Sequence, residues 1–127
     1  MDDPKLGPLG QIALPVKNLD RAIEFYRDKL GLKFLFQAPP GLAFFDCDGI
    51  RLMIETPPEK QFETHSSVLY FRVPHIDRAY ETLKQRGVPF EDAPHVIHKA
   101  QNYELKMAFF RDPDGNMHAI MSETGNL

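Results

Sequence analysis

The chain repeats itself, and this constrains its fold more than any other feature. V-K-N-L-D-R-A-I-E, from Val16 to Glu24, returns as V-P-H-I-D-R-A-Y-E from Val73 to Glu81, with the identical residues 57 positions apart. G-L-K-F (Gly31 to Phe34) is answered by G-V-P-F (Gly87 to Phe90). A-F-F-D-C-D-G (Ala43 to Gly49) is answered by A-F-F-R-D-P-D-G (Ala108 to Gly115). Two copies of one supersecondary unit therefore fill nearly all of the 127 residues. Neither copy can cover both faces of its own sheet, so the copies are expected to pair and enclose a cavity between their sheets.

Each copy has the same element order. Q-I-A-L-P-V and S-V-L-Y-F-R-V are short β-prone openings. A helix follows each. Leu19, Ala22, Ile23, Tyr26 and Leu30 form the first apolar stripe, with Asn18 as N-cap and Gly31 as the stop. Ile76, Ala79, Tyr80 and Leu83 form the second, before Gly87. Strand-like runs come next: K-F-L-F-Q, L-A-F-F and I-R-L-M-I in copy one, then V-P-F-E, L-K-M-A-F-F and M-H-A-I-M in copy two. The pattern is β-α-β-β-β, twice. Thr56 to Ser66 reads as a polar linker, and Asp92 to Tyr103 as an irregular loop of the kind that forms lids.

A net charge of -3 gives no electrostatic reason to expect nucleic acid or an anionic membrane as partner. The single cysteine, Cys47, excludes an internal disulfide and suits a reducing compartment. No apolar run approaches the length of a membrane span, and M-D-D-P-K-L-G-P-L-G lacks a signal pattern. A cytoplasmic location is the expectation.

The doubled unit, the opening V-x-N-L-D-R-A-x-x-F-Y-x-x-x-L-G-L and the closing F-F-R-D-P-D-G-N resemble the vicinal oxygen chelate superfamily over about residues 9 to 124. That group includes glyoxalase I, methylmalonyl-CoA epimerase, extradiol dioxygenases and the bleomycin-resistance binding proteins. The resemblance implies an α+β fold: two βαβββ modules, about 9–57 and 66–124, forming a mixed, curled, eight-stranded cup with helices outside. The whole chain, 1–127, would be one such domain. In the family's enzymes a divalent metal in the cup binds two neighbouring substrate oxygens and stabilises an enolate or oxyanion. Two-module chains of this family usually pair, so a homodimer is expected.

Carried over position by position, the family's ligand places fall at Gln11 and Val68 on the opening strands and at Met53 and Ala119 on the closing strands. Only Gln11 has a donor suited to the family's metals; a thioether prefers soft ions. Glu55 lies two residues beyond Met53, on the same strand face, and with Gln11 forms a fallback ligand pair. Strand alternation extends the cup-facing set to Gln11, Ala13, Arg51, Met53, Glu55, Val68, Tyr70, Arg72, Met117, Ala119 and Met121, with Phe109 nearby. Three methionines and the aromatic rings make an apolar, adaptable lining. Arg72 there would meet an anionic or carbonyl group, or pair with Glu55.

Period two turns His118 away from the cup, towards the helices. His75 reads as a cap or surface residue and His65 as part of the linker. His95 and His98, in the long loop, could close over the cup. Cys47 and the turn residues Asp112 and Asp114 have structural explanations. The reading is a small-molecule-binding protein with an apolar inter-module cup and no cofactor. The competing readings are a metal-dependent lyase, epimerase or dioxygenase using Gln11 and Glu55, and a metal-free enzyme with Glu55 as general base.

Overall fold

The computed structural model describes residues 9–56 and 67–125, so most of the linker, His65 included, lies outside the described residues. Module one runs β1 (Gln11–Pro15), α1 (Leu19–Glu24), β2 (Lys33–Ala38), β3 (Leu42–Cys47) and β4 (Ile50–Glu55). Module two runs β5 (Leu69–Arg72), α2 (Ile76–Gln85), β6 (His95–Ala100), β7 (Tyr103–Arg111) and β8 (Met117–Gly125). Among the described residues the strands divide between two four-stranded mixed sheets, ordered β1-β4-β3-β2 and β5-β8-β7-β6, which close no barrel. In each sheet the opening and closing strands are parallel and the other pairings antiparallel.

Local chemistry sets the helix ends. The Asn18 side chain accepts a hydrogen bond from the Arg21 amide at 3.0 Å, as an N-cap should. The α-helix then widens into a π-helical turn over Phe25–Lys29, where the Leu30 amide reaches back to the Phe25 carbonyl at 3.0 Å. Gly31 ends the run at φ +76°, as expected of a left-handed stop. His75 occupies the N-cap of α2, exposed and without a side-chain capping bond.

Two expectations are corrected in module two. V-P-F-E forms no strand: Phe90 makes only an isolated bridge to Phe110. The strand lies instead at His95–Ala100, inside the stretch read as an irregular loop, and pairs with β7. Its residues are exposed on both faces, so H-V-I-H-K-A has no apolar alternation to betray a strand. It is an edge strand, as is its counterpart β2. Both carry a register shift, between Phe34 and Phe36 and between Val96 and His98.

One hydrophobic cluster spans both modules. Leu14, Val16, Phe45, Leu52 and Ile54 of the first sheet join Leu69, Ala108, Phe110 and Ile120 of the second, with Ala22, Ile23, Phe25, Tyr26 and Ile76 from the helical segments. Alternation then places the other face of each sheet away from this shared core.

Tyr26 links the halves. Its ring packs 6.0 Å from Phe45 of its own module and 5.9 Å from His118 of the other. Its hydroxyl donates to Asp112 Oδ2 at 2.7 Å and lies 2.8 Å from His118 Nε2. With the phenolic O–H directed at Asp112, His118 must donate from Nε2, which leaves its Nδ1 as a buried atom without a hydrogen-bond partner among the described residues. Asp112 is held in turn by the amides of Asp114 and Asn116 and by the Asn116 side chain. Asn116 also donates to the Pro15 carbonyl, and Asp114 accepts from Lys17 and Arg21. On the repeat-related side, Leu83 and Leu52 stand where Tyr26 and His118 do. There the modules part into an open groove of about 1100 Å³ that Leu52 helps to line.

Gly125 ends β8 at φ +83°, and a Cβ added there would lie 1.7 Å from the Asn102 carbonyl oxygen. A Gly125→Ala variant is expected to lose more than about 1 kcal/mol in urea unfolding, with the pairing to Tyr103 loosened first in hydrogen exchange.

Candidate functional site

The open faces of the two sheets are built alike. On the first, register aligns Phe36, Phe44, Met53 and Ala13 in one rung across four strands. Phe36 and Phe44 stack with centroids 4.6 Å apart. The repeat-related rung on the second sheet is Phe109, Ala119 and Tyr70. The rings of Tyr70 and Phe109 meet edge to face at 6.2 Å, and Ala119 between them is wholly buried although it lies on the open side. Small size at residue 119 is thus what lets the two rings close.

The twelve residues read as cup-facing divide between these faces. Gln11, Ala13, Arg51, Met53 and Glu55 lie on the first sheet. Tyr70, Arg72, Phe109, Met117, Ala119 and Met121 lie on the second, with Val68 just before β5. Each set surrounds its own rung, on the side turned from the shared core. The large groove is a different place: of the twelve, only Arg51, Val68, Tyr70 and Arg72 line it, at its junction with the open faces.

Donor chemistry at the family's ligand positions does not fit a hard divalent ion. Gln11 Nε2 lies 3.7 Å from Met53 Sδ, Val68 is half-exposed, and Ala119 sits beneath the two rings. Register sets Gln11 opposite Arg51 and Glu55 opposite Pro15, which puts the fallback pair about 13 Å apart along the strands. Among the described residues no group of three or more His, Cys, Asp or Glu side chains is placed to hold a metal ion.

His118 is fully buried on the core side, as its alternation predicts, and burial lowers its pKa from the ordinary value to about 4 despite the Asp112 carboxylate nearby. Tyr26 is pushed well above the usual phenol range, first by burial and then by Asp112. Burial likewise raises the Cys47 thiol, so it lacks the thiolate character of a nucleophile. His95 and His98 prove to be strand residues. Pairing of His95 with Met107 and His98 with Leu105 puts both on the open face of the second sheet.

Two polar residues of that face, Tyr103 and Glu123, have no place in the cup-facing set that the sequence predicts. Tyr103 donates its hydroxyl proton to Glu123 Oε2 at 2.6 Å, and Arg72 donates to Glu123 Oε1 at 3.1 Å. Arg72 therefore pairs with Glu123, not Glu55. The Tyr103 bond, aided by Arg72, lowers the Glu123 pKa, and the same bond raises that of Tyr103. The His98 ring lies 6.1 Å from that of Tyr103. Continuing the alternation of β8 two residues past Met121 reaches Glu123, which is the signal that could have found it.

The doubled βαβββ unit with its two mixed sheets is the architecture of a known superfamily. The sequence model of the Glyoxalase/Bleomycin resistance protein/Dioxygenase superfamily matches residues 9–120, and the chain belongs to that superfamily. It is 31% identical over 123 residues to the uncharacterized protein YraH of Bacillus subtilis, covering 87% of this chain and 94% of that one. YurT of the same organism is 28% identical over 123 residues, covering 85% and 93%. Among solved structures, a glyoxalase/bleomycin resistance protein/dioxygenase from Alicyclobacillus acidocaldarius superposes with a TM-score of 0.72 at 24% identity, covering 96% of this chain and 94% of that chain. Lactoylglutathione lyase from Agrobacterium tumefaciens does so at 0.67 and 23% identity, covering 93% and 95%. At these identities the structural likeness concerns the fold. No helix among the described residues is long and apolar enough to cross a membrane.

Proposed function

We propose that this chain binds a small, largely apolar molecule against the open sheet faces, without a catalytic metal, and that two copies pair to complete the site. The observation that supports this reading is the repeated aromatic rung. Phe36, Phe44 and Met53 on one sheet and Tyr70 and Phe109 on the other lie outside the shared core. Phe36 and Tyr70 are each about half exposed, at 47% and 48%. Apolar surface displayed beside a complete core marks an interaction site. Among the described residues neither face has an opposite wall, and a twofold pair would give each face a partner.

N-phenyl-1-naphthylamine, a neutral aromatic dye, is the probe. Fluorescence titration is expected to show saturable binding that weakens about tenfold or more in Met53→Arg and Met121→Arg, since a charge without a partner is costly on such a face. Far-ultraviolet circular dichroism should show both variants folded, and light scattering should give the mass of a dimer. The absence of dye binding, or binding indifferent to both substitutions, would overturn the reading. Stoichiometric divalent metal that is lost on Gln11→Ala would favour the metal-dependent alternative instead.

A further inference from the structure

The polar corner of the second sheet indicates what kind of molecule this site takes. Glu123 is spent within the chain: one carboxylate oxygen accepts from Tyr103 and the other from Arg72. The Glu123 side chain is 26% exposed, whereas that of Arg72 is 75% exposed. A guanidinium has five N–H donors, and the bond to Glu123 engages one Arg72 nitrogen. The unsatisfied recognition capacity of the pair therefore belongs to the arginine. Arg72, Tyr70 and Glu123 line the inter-module groove where it meets the open face, and Arg51 lines the same groove from the first sheet. The Arg51 guanidinium lies 5.9 Å from the centroid of the Phe44 ring and has no carboxylate within ion-pairing distance among the described residues.

The groove also carries Lys33, Asp46 and Asp48, so its formal charges balance and their sum decides nothing. Their placement decides more. Asp46 accepts from the Gly49 amide in the β3–β4 turn and stands between Lys33 and Arg51 across the strands. Asp48 sits in the same exposed turn. A ligand cation would have to displace Arg72 from Glu123 and approach Arg51 as well. A ligand anion does neither, and it meets a guanidinium already held in position beside aromatic surface.

We propose that the site takes an apolar anion, of the class of aromatic carboxylates and sulfonates, with Arg72 as its anchoring cation and the Tyr103–Glu123 pair as the clamp that orients Arg72. This rests on the small-molecule-binding reading above and adds the chemical class of the ligand. Arg72 is a binding residue; Tyr103 and Glu123 are positioning residues.

Two dyes with one ring system separate the two claims in the purified full chain. 1-Anilinonaphthalene-8-sulfonate carries the anion, and N-phenyl-1-naphthylamine lacks it. The native chain is expected to bind the sulfonate about tenfold more tightly than the neutral dye, the scale of one charge-assisted hydrogen bond. Arg72→Met should abolish that preference and leave neutral-dye binding within about twofold of the native value. Arg72→Lys should restore part of it, because it returns the charge without the fork. Tyr103→Phe should weaken the sulfonate alone by about threefold, through loss of one clamping bond. Arg72 is exposed, so its variants should keep the native thermal midpoint and their binding can be read directly. Equal affinity of the native chain for both dyes, or a preference that survives Arg72→Met, overturns the anion anchor while the binding reading stands. Failure of both dyes to bind overturns the two together.

Discussion

Tyr26→Ala will remove about 4 kcal/mol of folding stability, the scale of emptying a large aromatic site and a large share of a typical domain's total. The reason lies in where the ring sits. It is fully buried between Phe25, Phe45 and His118, so its loss opens a cavity at the seam between the modules. Two polar groups lose their partner at the same moment: Asp112 loses a donor and His118 an acceptor, both in a buried setting. Tyr26→Phe separates the contributions. It keeps the ring and deletes the hydroxyl, and is expected to lose about 2 kcal/mol, the penalty for buried polar groups left unsatisfied. Urea unfolding of the three proteins at pH 7 measures both steps. If Tyr26→Ala unfolds at the native urea midpoint, the ring is no keystone of the seam.

Acid will open the same seam. The folded-state pKa of His118 is depressed to about 4 from an ordinary 6.5, chiefly by burial. The unfolded chain therefore binds a proton there more readily than the folded one, so stability rises with pH across this window. His118 contributes fully above about pH 6.5, and its contribution is lost as pH falls towards 4. Linkage puts the loss at about 2 kcal/mol between pH 7 and pH 5. Tyr26 and Asp112 face the imidazole. The phenol stays protonated throughout this range. His118→Gln retains a polar group opposite Tyr26 and removes the titration. Its urea midpoint should be nearly flat from pH 7 to pH 5 while that of the native chain drops. Parallel slopes in the two proteins would contradict this account.

Legibility in the sequence followed physical range. Strand alternation is a local property, and it placed His118 on the core side and Met117, Met121 and Ala119 on the open side. The repeat, read at an offset of 57, located both helices. Three things were hidden. Tyr26 looked like one member of an apolar stripe, because its partners Asp112 and His118 lie 86 and 92 residues away and no local pattern announces them. Strand β6 earns its place by hydrogen bonding to β7 and not by burial, so hydrophobic patterning cannot see it. The shift between Val96 and His98 also resets the alternation, which is why the facing of His98 could not be counted from its neighbours. The Arg72–Glu123–Tyr103 cluster depends on a diagonal contact between strands. Alternation puts Arg72 on the face, but its partner Glu123 stands two residues beyond its register partner Met121, in its own module and not at Glu55.

The paired irregularities in β2 and β6 bear on how such a chain keeps its own company. Leu35, Phe36, Val96 and Ile97 are exposed on the outermost strands, where a straight edge would invite a neighbour to add strand upon strand. An irregularity within each edge spoils the even spacing of free amides and carbonyls that such addition needs. The molecule can thus keep greasy side chains within reach of a guest at its margins and still remain a poor template for fibre growth.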